Sequence, residues 1–194
     1  MILDPATLSV QDSHKILISV IIPRPIAWIT TLNDDGTVNA APFSFFMGVS
    51  AQPPRLAISI SAKKGEIKDT SRNIIRDSEF VVNMVTEPNF EAMTKTSGLY
   101  DYGVEELKIA GLSTSKSDKI APPRIKESPV NMECRLEKVI EIGDKNNFLI
   151  IGEVILFHIN DEIIEDGAVI PQKIHAVGRL GGTFYSHINN IFEL

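Results

Sequence analysis

Apolar and polar residues alternate along much of the chain, and β-branched residues are frequent within the alternating stretches. A period of two places every second side chain on one face, which is typical of half-buried β-strands. The pattern predicts strands over residues 25–32, 37–41, 55–61, 80–85, 130–142 and 148–159. We therefore expect a mainly antiparallel β protein, a closed or partly closed barrel with a few peripheral helices.

Two short polar runs between strands predict β-hairpins. Residues 33–36 join the first two strands and end in Gly36, which adopts positive φ without steric cost. Residues 143–147 join the two long strands near the end of the chain.

Helix signals are fewer. Residues 69–77 predict a short helix that Asp69 is able to cap, and residues 89–96 predict a second one after Pro88. The polar stretch 97–126 contains several glycines and prolines and predicts a long irregular excursion. Such an excursion in a compact domain is usually functional or covers part of the fold.

Composition and charge narrow the functional class. The 194 residues are expected to form one domain spanning 1–194. A net charge of -6 leaves no broad positive field for nucleic acid, and no apolar stretch is long enough to span a membrane. The single cysteine, Cys134, excludes an intrachain disulfide, and the N-terminus lacks the pattern of a signal peptide. We expect a cytoplasmic protein.

The segment 39–44, Asn-Ala-Ala-Pro-Phe-Ser, is the first candidate site. Pro42 ends a strand or confines it to a sheet edge, because proline lacks an amide donor. Asn39 and Ser44 add compact polar groups, and the alanines permit close approach. This mixture suits a flat ring with a polar edge. On chemistry alone, a polar strand end without a ligand is the favoured interpretation.

A second candidate site surrounds the start of the helix at 69–77. Lys63, Lys64, Lys68 and Arg72 lie near Thr70, so cations, a hydroxyl and free helix amides occur together. These groups favour a phosphate dianion. A solvated helix with scattered charges is the alternative.

The chemistry of two further positions allows two interpretations each. Trp28, the only tryptophan, either walls a ring-binding pocket or belongs to the core. Arg179 lies among Gly178, Gly181 and Gly182, which either allow a ligand to approach the backbone or form a simple turn.

No side chain stands out as a metal ligand or a catalytic nucleophile. The histidines, His14, His158, His175 and His187, are far apart in the sequence, and His158 fits a satisfied strand histidine. Ser44 lacks the glycine-flanked turn of a nucleophile elbow. We expect no metal site and name no catalytic residue.

Taken in order, the motifs resemble those of the flavin reductase-like family of FMN-binding split barrels, which includes flavoredoxin-like proteins and reductase components of monooxygenases. The resemblance covers almost the whole chain. It is carried by Arg24-Pro25-Ile26-Ala27-Trp28, Asn39-Ala40-Ala41-Pro42-Phe43-Ser44, Pro53-Pro54, Lys68-Asp69-Thr70-Ser71-Arg72-Asn73-Ile74, Val82-Asn83, Gly111-Leu112, Pro122-Pro123, Glu133-Cys134, Gly152-Glu153-Val154 and Arg179-Leu180-Gly181-Gly182-Thr183-Phe184-Tyr185.

The resemblance implies a six-stranded antiparallel Greek-key barrel and a homodimer with FMN near the subunit interface. It assigns the isoalloxazine and ribityl chain to Trp28, Ile29, Thr30, Asn39, Ala41, Pro42, Phe43 and Ser44. It assigns ribityl and phosphate contacts to Ser59, Ser61, Lys68, Thr70 and Asn73, and closure of the site to Arg179 and Tyr185.

The implied activity is an FMN oxidoreductase that carries electrons from NAD(P)H to a flavin, a small molecule or a partner protein. A flavoredoxin-like carrier reduced by a protein donor is the first alternative, and a non-enzymatic flavin-binding protein is the second. In each case the cofactor performs the redox chemistry, and the protein binds it and tunes it.

Overall fold

The computed structural model describes residues 1–63, 65–98, 100, 103–143 and 146–193. The α-helices are α1 Val10–Val20, α2 Asp69–Asp77, α3 Phe90–Thr96, α4 Glu106–Ala110 and α5 Pro171–Ile174. The longer strands are β1 Ala27–Leu32, β2 Val38–Phe43, β3 Phe46–Ala51, β4 Pro54–Ile60, β5 Glu79–Met84, β8 Val130–Glu141 and β9 Phe148–Ile159. Short strands are β6 Thr114–Ser115, β7 Arg124–Ile125, β10 Ile164–Glu165, β11 Ala168–Val169, β12 Val177–Arg179 and β13 Tyr185–His187. No helix in the described ranges is both long enough and apolar enough to cross a bilayer.

The seven longer strands form one antiparallel sheet in the order β2-β1-β5-β8-β9-β4-β3. The outermost strands, β2 and β3, follow each other in the chain and are joined only by Ser44 and Phe45. The sheet must therefore curl until its two edges meet. The amide of Ser59 in β4 donates to the carbonyl of Phe45 at 2.8 Å, which continues the β3–β4 ladder into the link between the two edge strands. This confirms the predicted barrel, with seven strands in the sheet where six were expected.

All six strands predicted from alternation are present, with ends displaced by up to two residues. The sequence analysis does not predict β3. From Met47 to Ala51 this strand is exposed on both faces, so its residues show no alternation that follows burial.

Both predicted hairpins connect antiparallel strands. Gly36 has φ +80°, and the amide of Asn33 donates to the carbonyl of Thr37 at 2.8 Å, so the first turn is closed as expected. The second hairpin pairs β8 with β9, and residues 144 and 145 of its turn lie outside the described residues.

Helix α2 has the predicted bounds, but Asp69 does not cap it. Lys68 occupies the N-cap without a side-chain capping bond, and Asp69 is the first helical residue, bonded to Arg72 Nη1 at 2.5 Å. Helix α3 covers most of the predicted 89–96. Helix α1 was not predicted, because it buries no residue and so leaves no clear apolar face.

Two hydrophobic clusters lie on opposite faces of the sheet. The barrel interior includes Ile29, Phe80 and Cys134. The second cluster lies beneath α3 and α4 and includes Trp28, Met93 and Leu107. Trp28 and Ile29 fall in different clusters because neighbouring side chains of a strand point to opposite faces.

The stretch 97–126 is more regular and more firmly attached than expected. It contains α4 and the strand pair β6–β7, and the barrel binds its second half at several points. Thr30 Oγ1 donates to the carbonyl of Pro123 at 2.6 Å, and the amide of Ile125 donates to Asn83 Oδ1 at 2.9 Å. This part of the chain is therefore a fixed cover on the outside of the barrel.

One group of candidate metal ligands occurs in the described structure. Ligand atoms of Asp118, Glu133 and His158 lie within 4.8 Å of one another. The buried Glu133 carboxylate already accepts the amides of Asp118 and Lys119 at 2.7 and 2.8 Å, and His158 Nε2 lies 2.6 Å from it. Through these bonds Glu133 anchors the described part of the 97–126 stretch to the barrel. His158 has a hydrogen-bond partner in Glu133, as expected for a strand histidine whose hydrogen bonds are satisfied.

Candidate functional site

A groove beside the edge strand β2 consists of two connected cavities. The first has a volume of about 650 Å³ and the second about 470 Å³. Pro42, Phe43, Lys68 and Ser97 line both, so the cavities are continuous. Their sizes lie in the range of small-molecule and cofactor sites.

The first cavity has walls of mixed charge. Strand β2, the loop before α2, residues 96–98, Tyr100 and Glu106 form its sides. Cationic and anionic side chains both contribute, namely Lys63, Lys68 and Arg72 with Asp34, Glu66, Asp69 and Glu106. Lys64, which the sequence places in the same cationic group, lies outside the described residues.

The start of α2 presents donors to the first cavity. The first amides of a helix have no partner within the helix, and no side chain caps those of α2. Thr70 Oγ1 accepts a hydrogen bond from Asn39 Nδ2 at 3.0 Å. Among the described residues no acceptor takes the Thr70 hydroxyl hydrogen, so this hydrogen is available to a ligand. Burial, with a smaller effect from Lys63, lowers the pKa of Lys68. An anion here would satisfy these donors and stabilise the charged lysine.

A buried polar network holds the start of α2 against the β1–β2 hairpin. Asn39 Nδ2 also donates to Thr31 Oγ1 at 3.0 Å. Asn73 Nδ2 donates to Thr31 Oγ1 at 3.0 Å and to Asn33 Oδ1 at 2.9 Å. Asn73 is fully buried, so it positions the helix from behind the cavity wall.

Glu106 is a cavity residue that the sequence analysis missed. Strand β2 lies at a sheet edge, so its outward amides lack a strand partner, and Glu106 Oε2 accepts the amide of Ala40 at 3.0 Å. Burial raises the pKa of the Glu106 carboxyl; the bond from Ala40 opposes this and the nearby Asp69 adds to it. No local pattern marks this residue, because its role depends on α4 packing against β2.

The second cavity is built from segments that are distant in sequence. Helix α1 contributes His14 and Ile18, the end of β4 contributes Ser59 and Ser61, and the β12–β13 pair contributes Arg179 and Tyr185. Ser44, which follows β2, also lines this cavity.

Arg24 joins these segments. It is only 5% exposed, and its Nη1 donates to the carbonyls of Ile18 and Ile21 at 2.6 Å each. These carbonyls end α1, where a cation is favourable. Nη2 donates to the carbonyl of Leu180 at 2.9 Å, and Nε lies 3.4 Å from Ser44 Oγ. The sequence analysis used Arg24 only as part of a motif.

The groove brings together eleven of the predicted site residues. They are Asn39, Ala41, Pro42, Phe43, Ser44, Ser59, Ser61, Lys68, Thr70, Arg179 and Tyr185. Pro42 lies within an edge strand, as its missing amide predicts.

Four predicted residues do not line either cavity: Trp28, Ile29, Thr30 and Asn73. All four are completely buried in the single chain. Trp28 Nε1 donates to Thr96 Oγ1 at 2.9 Å, which resolves its two interpretations in favour of core packing beneath α3.

Residues 19–176 match the family described as "Flavin reductase like domain". The chain belongs to this flavin reductase-like family. An uncharacterised protein of Halalkalibacterium halodurans is 38% identical over 200 residues, covering 100% of this chain and 95% of the relative.

Two solved structures share both the fold and substantial sequence similarity. Nitrilotriacetate monooxygenase component B from Bacillus cereus superposes with a TM-score of 0.97 at 35% identity, covering 100% of this chain and 98% of the other. The 2-nitrobenzoate 2-nitroreductase NbaA of Pseudomonas fluorescens gives 0.92 at 31% identity, covering 100% and 95%. The architecture is therefore the split barrel of flavin reductase-like proteins, and the family supports a flavin cofactor.

Proposed function

We propose that this chain is an FMN-dependent oxidoreductase that takes electrons from NADH or NADPH and passes them to an acceptor. The groove carries this proposal, because it joins an edge strand with apolar and polar groups to a helix start with free donors. Two similar structures, a monooxygenase component and a nitroreductase, support a redox role for the site.

The residues of the groove fit FMN. Pro42 and Phe43 provide an apolar wall for a flat ring, and both cavities share them. Lys68, the free hydroxyl hydrogen of Thr70 and the uncapped amides of α2 suit a doubly charged phosphate. Ser71 Oγ in the first turn of α2 is buried and has no hydrogen-bond partner in the described structure.

The edge of β2 adds a polar group beside the apolar wall. The Ala40 amide points away from β1 towards Glu106. Residues two apart in an antiparallel strand direct their main-chain groups the same way, so the Pro42 carbonyl also faces outward. A carbonyl acceptor at this position would serve a ring N–H, and proline offers no competing donor.

Bound FMN would supply the hydride and electron transfer chemistry. The residues of the chain bind it, orient it and keep water from its apolar face. Lys68 and the α2 amides would hold the phosphate, and the Asn39–Thr31–Asn73 network would fix the helix that presents them. The proposal assigns no acid or base on the protein to the transfer.

A homodimer is part of the same proposal. Helix α1 buries no residue, and its last residue and the two that follow are exposed, Val20 by 68%, Ile21 by 53% and Ile22 by 47%. A helix without buried side chains gains little from the single chain, whereas a second copy would cover this apolar surface. Multi-angle light scattering of purified protein should give twice the chain mass. A cytoplasmic location also belongs to this proposal.

The binding test compares FMN with riboflavin, which lacks the phosphate. Replacing Lys68 and Thr70 together by alanine should lower the affinity for FMN by about 10- to 100-fold more than the affinity for riboflavin, as measured by calorimetry. Lys116→Ala with Thr114→Ala is a matched control, because these residues have the same separation and lie outside both cavities. Equal losses for both ligands would place the phosphate elsewhere, and no FMN binding by the unaltered protein would reject the proposal.

The activity test adds NADH or NADPH to the FMN-loaded protein without oxygen. Loss of the yellow flavin absorbance with either nucleotide supports the reductase. If FMN stays bound and neither nucleotide bleaches it, the electron donor must be another molecule. A carrier reduced by a partner protein then replaces the reductase.

A further inference from the structure

The second cavity carries positive charge that no carboxylate opposes. Arg24, Lys68, Arg179 and His14 line it, and its described lining contains no aspartate or glutamate. The whole chain has 25 acidic and 19 basic residues. The described lining of the second cavity therefore lacks carboxylates although the chain is acidic overall. Four carboxylate side chains line the connected first cavity.

Aromatic rings accompany these cations instead of carboxylates. The two arginines and the lysine each lie over the face of an aromatic ring, at distances to the ring centroid of 5.8 Å for Arg24 over Phe45, 5.3 Å for Lys68 over Phe43 and 4.3 Å for Arg179 over Tyr185. None of the three forms an ion pair within the described ranges. A ring face holds a cation in position but leaves its charge available to an anion.

Two of the cations are forced together by the backbone. Arg24 and Arg179 form an antiparallel bridge, with amide-to-carbonyl distances of 2.9 and 2.8 Å. Like charges directly opposite each other on paired strands are destabilising. Burial lowers the pKa of Arg24, and burial together with the neighbouring Arg24 lowers the pKa of Arg179. An anion bound beside both side chains would remove the repulsion.

The two arginines have different capacities for a ligand. The N–H groups of Arg24 already serve the carbonyls of Ile18, Ile21 and Leu180 and approach Ser44. Arg24 therefore contributes a fixed charge. Arg179 donates to the carbonyl of Gly182 at 2.5 Å through Nη2, and the remainder of its forked guanidinium suits a carboxylate.

The remaining walls combine apolar and aromatic side chains with serine hydroxyls. Ile26, Pro42, Phe43, Phe45, Met93 and Tyr185 form the apolar part, and Ser44, Ser59, Ser61 and Ser97 form the polar part. An apolar wall with a few convergent polar groups is typical of sites for a flat organic molecule that carries one charged group. We propose that the second cavity binds an aromatic carboxylate as the second substrate, with Arg179 binding its carboxylate and Arg24 supplying fixed positive charge.

This inference rests on the proposed function, because a second substrate has a role only beside a bound flavin. Its test uses benzoate and benzamide, which have nearly the same shape and differ in charge. Calorimetry on the protein with and without FMN should show benzoate binding about tenfold or more tightly than benzamide. Equal affinities, or no binding of either probe, would overturn the inference, while FMN binding in the same titrations tests the proposed function separately.

Variants of Arg179 distinguish the substrate carboxylate from the phosphate of the flavin. Arg179→Gln should reduce benzoate affinity about tenfold and leave benzamide unchanged, and Arg179→Lys should retain part of the preference. Arg124→Gln is the control, because Arg124 also donates to a main-chain carbonyl but lies outside both cavities. If Arg179→Gln weakens FMN relative to riboflavin and spares the benzoate preference, the anion is the flavin phosphate and the inference is wrong.

Discussion

The two cavities of the groove adjoin each other, yet the residues that line them differ in charge. In the first cavity cations and carboxylates are interspersed, and Arg72 lies 2.5 Å from Asp69. In the second cavity the described cations have no carboxylate and lie over aromatic rings. The first cavity is suited to select by shape and directed hydrogen bonds, and the second is suited to select by charge.

The cavities also differ in how the chain builds them. The first uses β2, α2 and a polar network among Thr31, Asn33, Asn39 and Asn73, all packed on the barrel. The second adds segments from both ends of the chain, which Arg24 holds together, to residues at the ends of β2 and β4. Under the two proposals, peripheral segments that bind the substrate would allow the substrate to change without disturbing a cofactor held by the barrel.

The largest expected effect comes from Arg24→Leu, which removes the connection between the ends of the chain. The carbonyls of Ile18, Ile21 and Leu180 lose a charged donor, so the free energy of unfolding should fall by about 2–4 kcal/mol. Urea unfolding measures this loss, and Arg124→Leu should change it by less than about 0.5 kcal/mol.

The same variant tests the separation of the two cavities. The ratio of FMN to riboflavin affinity should stay unchanged in Arg24→Leu, because the groups proposed for the phosphate are Lys68, Thr70 and the α2 amides, and Arg24 lies outside the first cavity. A fall in that ratio would show that the cavities act as one site.

A smaller effect is expected from Asn73→Ala, which alters only the support of the first cavity. Asn73 Nδ2 bonds Thr31 and Asn33 in the interior, so the variant should be less stable by about 1–3 kcal/mol. The affinity for FMN should fall more than the affinity for riboflavin, because the start of α2 loses its anchor. The affinity for benzoate should not change. A loss of benzoate affinity equal to that of FMN would contradict the division between the cavities.

The sequence predicted those features that depend on neighbouring residues. Alternation revealed six of the seven longer strands, and the motifs at 39–44 and 68–70 identified two of the segments that line the first cavity. The contiguous motif at 28–30 was less informative about side chains, since Trp28 and Ile29 must face opposite sides of β1. A motif identifies a segment, and the strand geometry decides which of its side chains reach the groove.

The remaining features depend on contacts between residues far apart in the chain. The bond from Arg24 to Leu180 spans 156 residues, and the bond from Ala40 to Glu106 spans 66. No periodicity or local motif encodes either bond. Helix α1 was also missed, because it buries nothing in the single chain.

The smallest expected effect concerns Glu106→Gln, which removes a negative charge from the first cavity and keeps an acceptor for Ala40. Burial raises the pKa of Glu106 in the folded protein, so the folded state holds this proton more tightly than the unfolded state. The contribution of Glu106 to stability is therefore most favourable below its unfolded pKa and declines as pH rises through the folded pKa. At pH 8 the variant should be more stable by about 1 kcal/mol, and at low pH the difference should vanish.

The control is Glu105→Gln, since Glu105 lies on the same helix start and its carboxylate pairs with Lys108 near the surface. Losing that pair should lower stability by at most a few tenths of a kcal/mol. Above the folded pKa of Glu106, Glu106→Gln should also bind FMN a few-fold more tightly and leave riboflavin and benzoate affinities unchanged, because the removed charge lines the same cavity as the proposed phosphate site at the start of α2. If benzoate tightens as much as FMN, Glu106 acts on both cavities, and the contrast between a mixed-charge and a positive cavity is wrong.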